Sequence, residues 1–280
     1  YDIIYDDEIL KDKLATYDWL HLHHEDFTGQ YGRFYNTFKY AAWYVADVKY
    51  QEESAKRNGF KKVSEMKLAV AKQIKKFCAG GGFLFAMCSG TDSFDIALAA
   101  EGLDIAERMY DGDGVDPEAQ AKLDYTKAVA FTNFRLDQNP LHYEFSDIDV
   151  TEGRRLTQND DYFTLFDFSA KWDIVPTMLT QNHDKVIKGF MGQTTAFKKQ
   201  LVKPEVTILG ENKGAAEVRY LHGEMGKGQF TFYGGHDPED YQHQVNDPPT
   251  DLNLHPNSAG YRLILNNVLF PAAKKRPQKT

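Results

Sequence analysis

No stretch of this chain strings together the ~20 apolar residues that a membrane-spanning helix needs, so no transmembrane segment is read in it. Cysteine is scarce. Cys78 and Cys88 are too few for a disulfide framework or a cysteine-rich structural zinc site. Positive charge is in deficit, with 33 Lys and Arg against 41 Asp and Glu and a formal charge of −8. Phosphate backbones are bound by clustered basic surfaces. The one basic cluster, Lys274–Lys279, reads as a tail, so no nucleic-acid partner is expected. Pro/Ser-rich linkers and internal repeats are also missing. Residues 1–273 are therefore expected to form one domain, followed by a basic tail at 274–280.

Aromatic residues, by contrast, are abundant at 14%. Core packing accounts for most of them, and the remainder suits a surface that faces carbohydrate or protein. The first half alternates strand and helix signals, which predicts βαβ units and a mainly parallel sheet. Tyr1–Tyr5 and Tyr17–His23 read as strands, and Asp6–Ala15 as a short amphipathic helix. Lys61–Phe77 carries Val63, Met66, Val70, Ile74 and Phe77 on one helical stripe, and Gly80-Gly81-Gly82 ends it. Phe83–Met87 is an uninterrupted apolar run, as a buried parallel strand requires, and Ser89–Ala100 reads as the next helix. Asp111, Asp113, Asp116 and Glu118 resemble a calcium loop but lack the glycine and terminal glutamate at EF-hand offsets. Further strands are expected at Val186–Phe190, Val206–Leu209, Ala216–His222 and Gln229–Gly234, the last two joined by a turn at Gly223–Gly228. Asn257–Phe270 reads as a closing helix capped by Asn257.

The segment from Gly80 to Asp92 carries most of the functional information. An apolar strand runs into Cys88, small residues follow, and a helix begins: the layout of a nucleophile elbow. At a helix N-terminus the unpaired N–H groups and the dipole favour a thiolate, and the N–H of Ser89 is placed for an oxyanion. A small buried hydrophobe is the competing reading of Cys88. Cys78, in a helix tail, reads as structural. A thiolate nucleophile needs a base, and the base needs a group to orient it. His236, delivered by the strand Gln229–Gly234 into a loop with Asp237 and Glu239, supplies both.

Residues 86–92 resemble the Gly-x-Cys-x-Gly-x-Gln pattern of class I glutamine amidotransferases, with Ala86 for the first Gly and Asp92 for Gln. Gly235-His236-Asp237-Pro238-Glu239 is similar to the end of ThuA-like domains, which are linked to sugar metabolism. With Tyr17–Phe27, these segments also resemble a Bacteroidota family often labelled asparagine synthetase B. The chain lacks the N-terminal cysteine and the pyrophosphate motif that such a synthesis needs.

The resemblance implies an α/β, flavodoxin-like three-layer sandwich, mainly parallel, with a C-terminal antiparallel hairpin. In that order the first strand is central. With Tyr1–Tyr5 as the second, the central strand is expected from an upstream segment of a longer protein or from another chain. The family implies export to the periplasm or cell envelope.

The expected activity is cysteine-dependent hydrolysis or transfer of a small amide, or of one derived from a sugar or peptide. Cys88 is the nucleophile, His236 the base and Glu239 or Asp237 the orienter. Ser89 with the loop Gly29-Gln30-Tyr31-Gly32 supplies the oxyanion and substrate contacts. The alternatives are a non-catalytic module binding a carbohydrate or a protein partner in a cell-envelope assembly, and a ThuA-like sugar-processing protein. His21, His23 and His24 with Glu25 and Asp26 have no second ligand cluster at compatible spacing, although His236, His243 and His255 can converge through the fold. No metal or cofactor is therefore expected. The strand end with His24 is read as lining the crevice where open α/β sheets bind ligands.

Overall fold

The computed structural model describes residues 1–151, 161–166, 184–241 and 247–272. His183, His243, the basic tail and parts of the 125–173 stretch lie outside the described residues. The helices are α1 (Asp6–Ile9), α2 (Tyr35–Phe38), α3 (Ala42–Arg57), α4 (Val63–Gly80), α5 (Ser89–Ala99), α6 (Arg108–Asp111), α7 (Ala119–Lys122) and α8 (Ala259–Leu269). The strands are β1 (Trp19–Leu22), β2 (Phe83–Met87), β3 (Tyr162–Leu165), β4 (Val186–Lys188), β5 (Phe197–Lys198), β6 (Thr207–Asn212), β7 (Glu217–Met225) and β8 (Gly228–Tyr233). They form one sheet in the order β1-β2-β8-β7-β6-β3-β4, with β5 paired to β7.

The direction of these strands corrects the expected fold class. Only β1-β2 and β2-β8 are parallel. The pairs β8-β7, β7-β6, β6-β3, β3-β4 and β5-β7 are antiparallel. The sheet is mixed and mostly antiparallel, not that of a mainly parallel flavodoxin-like sandwich. The reason is local. The βαβ signal, β2-α5 included, is confined to the first hundred residues, and among the described residues no α-helix lies between β3 and β8. The expected hairpin is present, but its turn is only Gly226-Lys227, because β7 and β8 stay paired out to Met225–Gly228. Tyr1–Tyr5, expected as a strand, runs as exposed coil and does not pair with β1.

The core shows why β2 is apolar throughout. Leu84 and Ala86 pack with Val70, Ile74, Cys78 and Phe94 beneath α4 and α5. Phe83, Phe85 and Met87 pack on the other face with Phe190, Tyr233 and Leu263 of α8. Alternate residues of a strand point to opposite faces, so a strand covered on both sides has no polar position to spare. The α4 stripe lies as its spacing predicts, with Val63, Met66, Val70 and Ile74 buried. Each such side chain contributes on the order of 1.5–3 kcal/mol. Gly81 closes that helix at φ +128°, where a side chain would be strained. Helix α8 begins at Ala259, and its N-cap is Ser258, not Asn257: the Ser258 hydroxyl accepts from Tyr261 N–H at 3.2 Å.

Lys62 draws Asp104, Asp111 and Asp113 onto one ammonium, the first two at 2.5 and 3.0 Å. Of the calcium-like spacing, Asp111 and Asp113 thus face Lys62, while Asp116 and Glu118 face Lys122 at 3.3 and 2.8 Å.

Candidate functional site

Three parallel strands end at one edge of the sheet. Leu22, Ala86 and Phe232 lie in one register row across β1, β2 and β8. Two residues beyond that row come His24, Cys88 and Gly234, and His236 follows two later. Parallel pairing alone therefore delivers all three candidate side chains to one place. One ligand atom from each of His24, Cys88 and His236 lies within 4.8 Å of the other two. Sequence reasoning named each of these residues, but it expected no such set.

Cys88 has the elbow conformation, with φ 55° and ψ −140°. A left-handed φ at a residue with a side chain stores strain, and such strain collects at functional sites. The turn is pinned by Cys88 N–H donating to the Tyr233 carbonyl at 3.1 Å. The Thr91 hydroxyl donates to the Cys88 carbonyl at 2.6 Å. The sulfur has no exposed surface. Burial pushes its pKa up, against the pull of the Ser89 and Gln193 backbone N–H groups, and the charges of Asp92 and Asp149 push it further. Desolvation thus works against the thiolate that the helix N-terminus favours. Cys78, read as structural, is buried: its thiol donates to the Gln229 carbonyl at 3.1 Å, and burial pushes its pKa up to about 12.

His24 Nδ1 lies 3.5 Å from Cys88 Sγ. The ring keeps an exposed face, and its pKa is lowered by desolvation first and by the charge of His23 second. His236 packs beside it, tilted against the His24 ring and edge-on to the His23 ring, with centroids 4.5 and 4.6 Å away. His21 extends the row toward Trp19, and burial lowers its pKa to about 4. His24, assigned to substrate contact from sequence, is thus an imidazole within 3.5 Å of the thiol.

The two expected orienting carboxylates make contacts elsewhere. Asp237 accepts from the N–H groups of Glu239 and Asp240 at 3.2 and 2.9 Å, and from the Tyr261 hydroxyl at 3.3 Å. Glu239 faces Lys188 at 3.7 Å and His255 at 3.8 Å. Both brace the loop that carries His236.

The Gly29–Gly32 loop is likewise engaged. The Asp26 carboxylate accepts from the backbone N–H of Thr28 at 2.7 Å, Gln30 at 3.0 Å and Gly32 at 2.9 Å. Those amides point at Asp26, so Gln30 and Gly32 cannot offer them to an oxyanion. Gly29, at φ +77°, packs directly on the backbone of Ser64.

The second backbone donor comes from a segment that sequence reasoning missed. Gln193 N–H faces Cys88 together with Ser89 N–H. The Gln193 side chain is anchored to the Tyr143 carbonyl at 2.8 Å and the Gly32 carbonyl at 3.3 Å. Beside it, Gly192 stands at φ +136°, where a Cβ would lie 3.2 Å from Cys88 Sγ and 2.5 Å from His236 Cδ2. Only glycine lets the backbone approach this closely. The strand signal followed by Gly192 was the available clue.

Beneath the elbow, Asp92 and Asp149 are buried together. Asp92 Oδ1 accepts from the Thr194 hydroxyl at 3.1 Å, and its Oδ2 has no hydrogen-bond partner among the described residues. Desolvation, then Asp149, raises the Asp92 pKa.

No protein-family model and no curated protein matches this chain. Among solved structures it is similar to two cytoplasmic proteins of Salmonella typhimurium. The alignment with STM3548 has 10% identity and a TM-score of 0.43, and covers 96% of this chain and 80% of that one. The alignment with STM1381 has 14% identity and a TM-score of 0.43, and covers 96% and 81%.

Proposed function

We propose that this protein is a cysteine-dependent hydrolase or amide-transfer enzyme acting on a small amide, or on one derived from a sugar or peptide. The observation that carries the reading is a strained elbow cysteine whose sulfur lies 3.5 Å from an imidazole nitrogen. The resemblance of residues 86–92 to class I glutamine amidotransferases supports it. A protonated thiol at rest passes its proton to His24 as Sγ attacks the substrate carbonyl carbon. Ser89 and Gln193 N–H groups receive the developing oxyanion. The imidazolium returns the proton to the leaving amine, and water or an acceptor amine then cleaves the thioester. His236, packed at a tilt against His24, holds its ring in place.

The test is iodoacetamide labelling in chelator-treated protein, mapped by mass spectrometry with Cys78 as internal reference. Cys88 should react faster than Cys78 and slow about a hundredfold in His24→Ala. Equal rates for the two cysteines, or indifference to both His24 and His236, would overturn the reading.

Full burial of Cys88 favours a second reading, a binding module holding a carbohydrate or a cell-envelope protein partner, in which the thiol is packing. Among the described residues no helix is long and apolar enough to cross a membrane.

A further inference from the structure

The donor set at this edge has a use beyond acyl transfer. A tetrahedral zinc ion with a Zn–S bond of about 2.3 Å and Zn–N bonds of about 2.0–2.1 Å sets its sulfur and nitrogen ligands roughly 3.5–3.6 Å apart. The Cys88 Sγ to His24 Nδ1 separation is 3.5 Å. The ligand atoms of all three residues lie within 4.8 Å of one another. Side-chain rotation of His24 and His236 closes the remaining gap, and neither ring is fully buried. From these distances we infer that Cys88, His24 and His236 form a binding site for a soft divalent cation, zinc by chemistry, with a fourth position open to water or another ligand.

The donor types select the ion. One thiolate and two imidazoles suit zinc and disfavour calcium and magnesium, which take oxygen ligands. The backbone is already built for the ion. β1, β2 and β8 deliver the three donors from one sheet edge, and the His236 N–H donates to the Met191 carbonyl at 2.7 Å, fixing that loop. Gly192 leaves the space between His236 and Cys88 free of a side chain. Binding is balanced by one proton: the Cys88 thiol gives its hydrogen to solvent as sulfur bonds the metal. A zinc-bound Cys88 no longer attacks a carbonyl, so zinc and acyl transfer exclude each other at this sulfur. The site stands on its own distances and does not depend on the hydrolase reading.

The experiment is titration of the metal-free full chain with zinc against a chromophoric chelator, repeated with cobalt(II) as an optical probe. One equivalent of zinc is expected to bind. Cobalt should show a thiolate charge-transfer band that is absent in Cys88→Ser. His24→Ala and His236→Gln should each weaken zinc binding at least about tenfold, since loss of even an outer partner costs 10–100-fold. Each variant's folding is checked by circular dichroism in metal-free buffer. For a variant that does not fold, zinc protection of Cys88 from iodoacetamide in the wild type, reversed by chelator, decides instead. No stoichiometric binding, or binding unchanged in Cys88→Ser, would overturn the site. Zinc binding with His-independent labelling of metal-free Cys88 would leave the metal site and remove the hydrolase. Fast, His-dependent labelling without zinc binding would do the reverse.

Discussion

The parallel strands β1, β2 and β8 end together and hold His24, Cys88 and His236 at one edge, whereas the antiparallel strands that continue the sheet bury an ion pair instead. There, Arg219 of β7 is fully enclosed and pairs with Asp161. The difference follows from strand direction. Parallel strands send all their C-terminal ends to one edge, so side chains far apart in sequence converge there. Antiparallel strands alternate ends and gather no such set, but they supply walls. The segment after β4 returns as Gly192 and Gln193 to close over the sulfur. Three parallel strands are enough for the site, and the remaining strands decide how tightly it is covered.

The sharpest way to break this division is Arg219→Met. It leaves Asp161 buried without its cation and should cost about 3–5 kcal/mol, read by chemical denaturation. The ratio of Cys88 to Cys78 labelling in the native fraction should not move. If it does, the two regions are one unit.

Next in size is Asp95→Ala, on α5 in the parallel region. The Asp95 carboxylate accepts from the N–H groups of Val129, Ala130 and Phe131 at 2.7–2.8 Å. Stranding those donors should cost about 3 kcal/mol in the same denaturation assay.

Gly192→Ala probes the seam between the regions. The left-handed φ should cost about 1–2 kcal/mol, while labelling of Cys88 and metal binding change far more than stability does. An alanine variant with unaltered labelling would separate the wall from the site.

The last effect grows with pH. The Asp92 pKa is raised in the folded chain, so over part of the pH range the folded protein keeps a proton that the unfolded chain has released. Stability from this group is complete below the unfolded value and is lost as pH rises toward the folded one. Asp92→Asn removes that titration. It should match the wild type near pH 4 and exceed it near pH 8, by at most about 1.4 kcal/mol per pH unit of the interval. Parallel stability profiles would show that Asp92 does not titrate in this window.

The elbow was legible because its signals are local: a glycine stop, an apolar strand, Cys88, then small residues opening a helix. Strand direction was not, since the period of two is the same in parallel and antiparallel pairs and only β7-β8 had a readable turn. Helix α3 went unread because it buries just Tyr44, Ser54 and Ala55, leaving no apolar stripe to detect. Gly29 to Gly32 looked like an oxyanion loop because glycines are small. The claim of Asp26 on their amides depends on tertiary placement that no spacing encodes.

Cys88 has no surface in contact with solvent, so any reagent that reaches it must wait for the covering segment to swing aside. Its labelling rate is then the fraction of time the segment is open multiplied by the reactivity of the uncovered sulfur. The backbone amide of Gln193 faces that sulfur and is uncovered by the same event. Hydrogen exchange at Gln193 and alkylation at Cys88 should therefore run on a single clock, slowed together by whatever holds the segment shut.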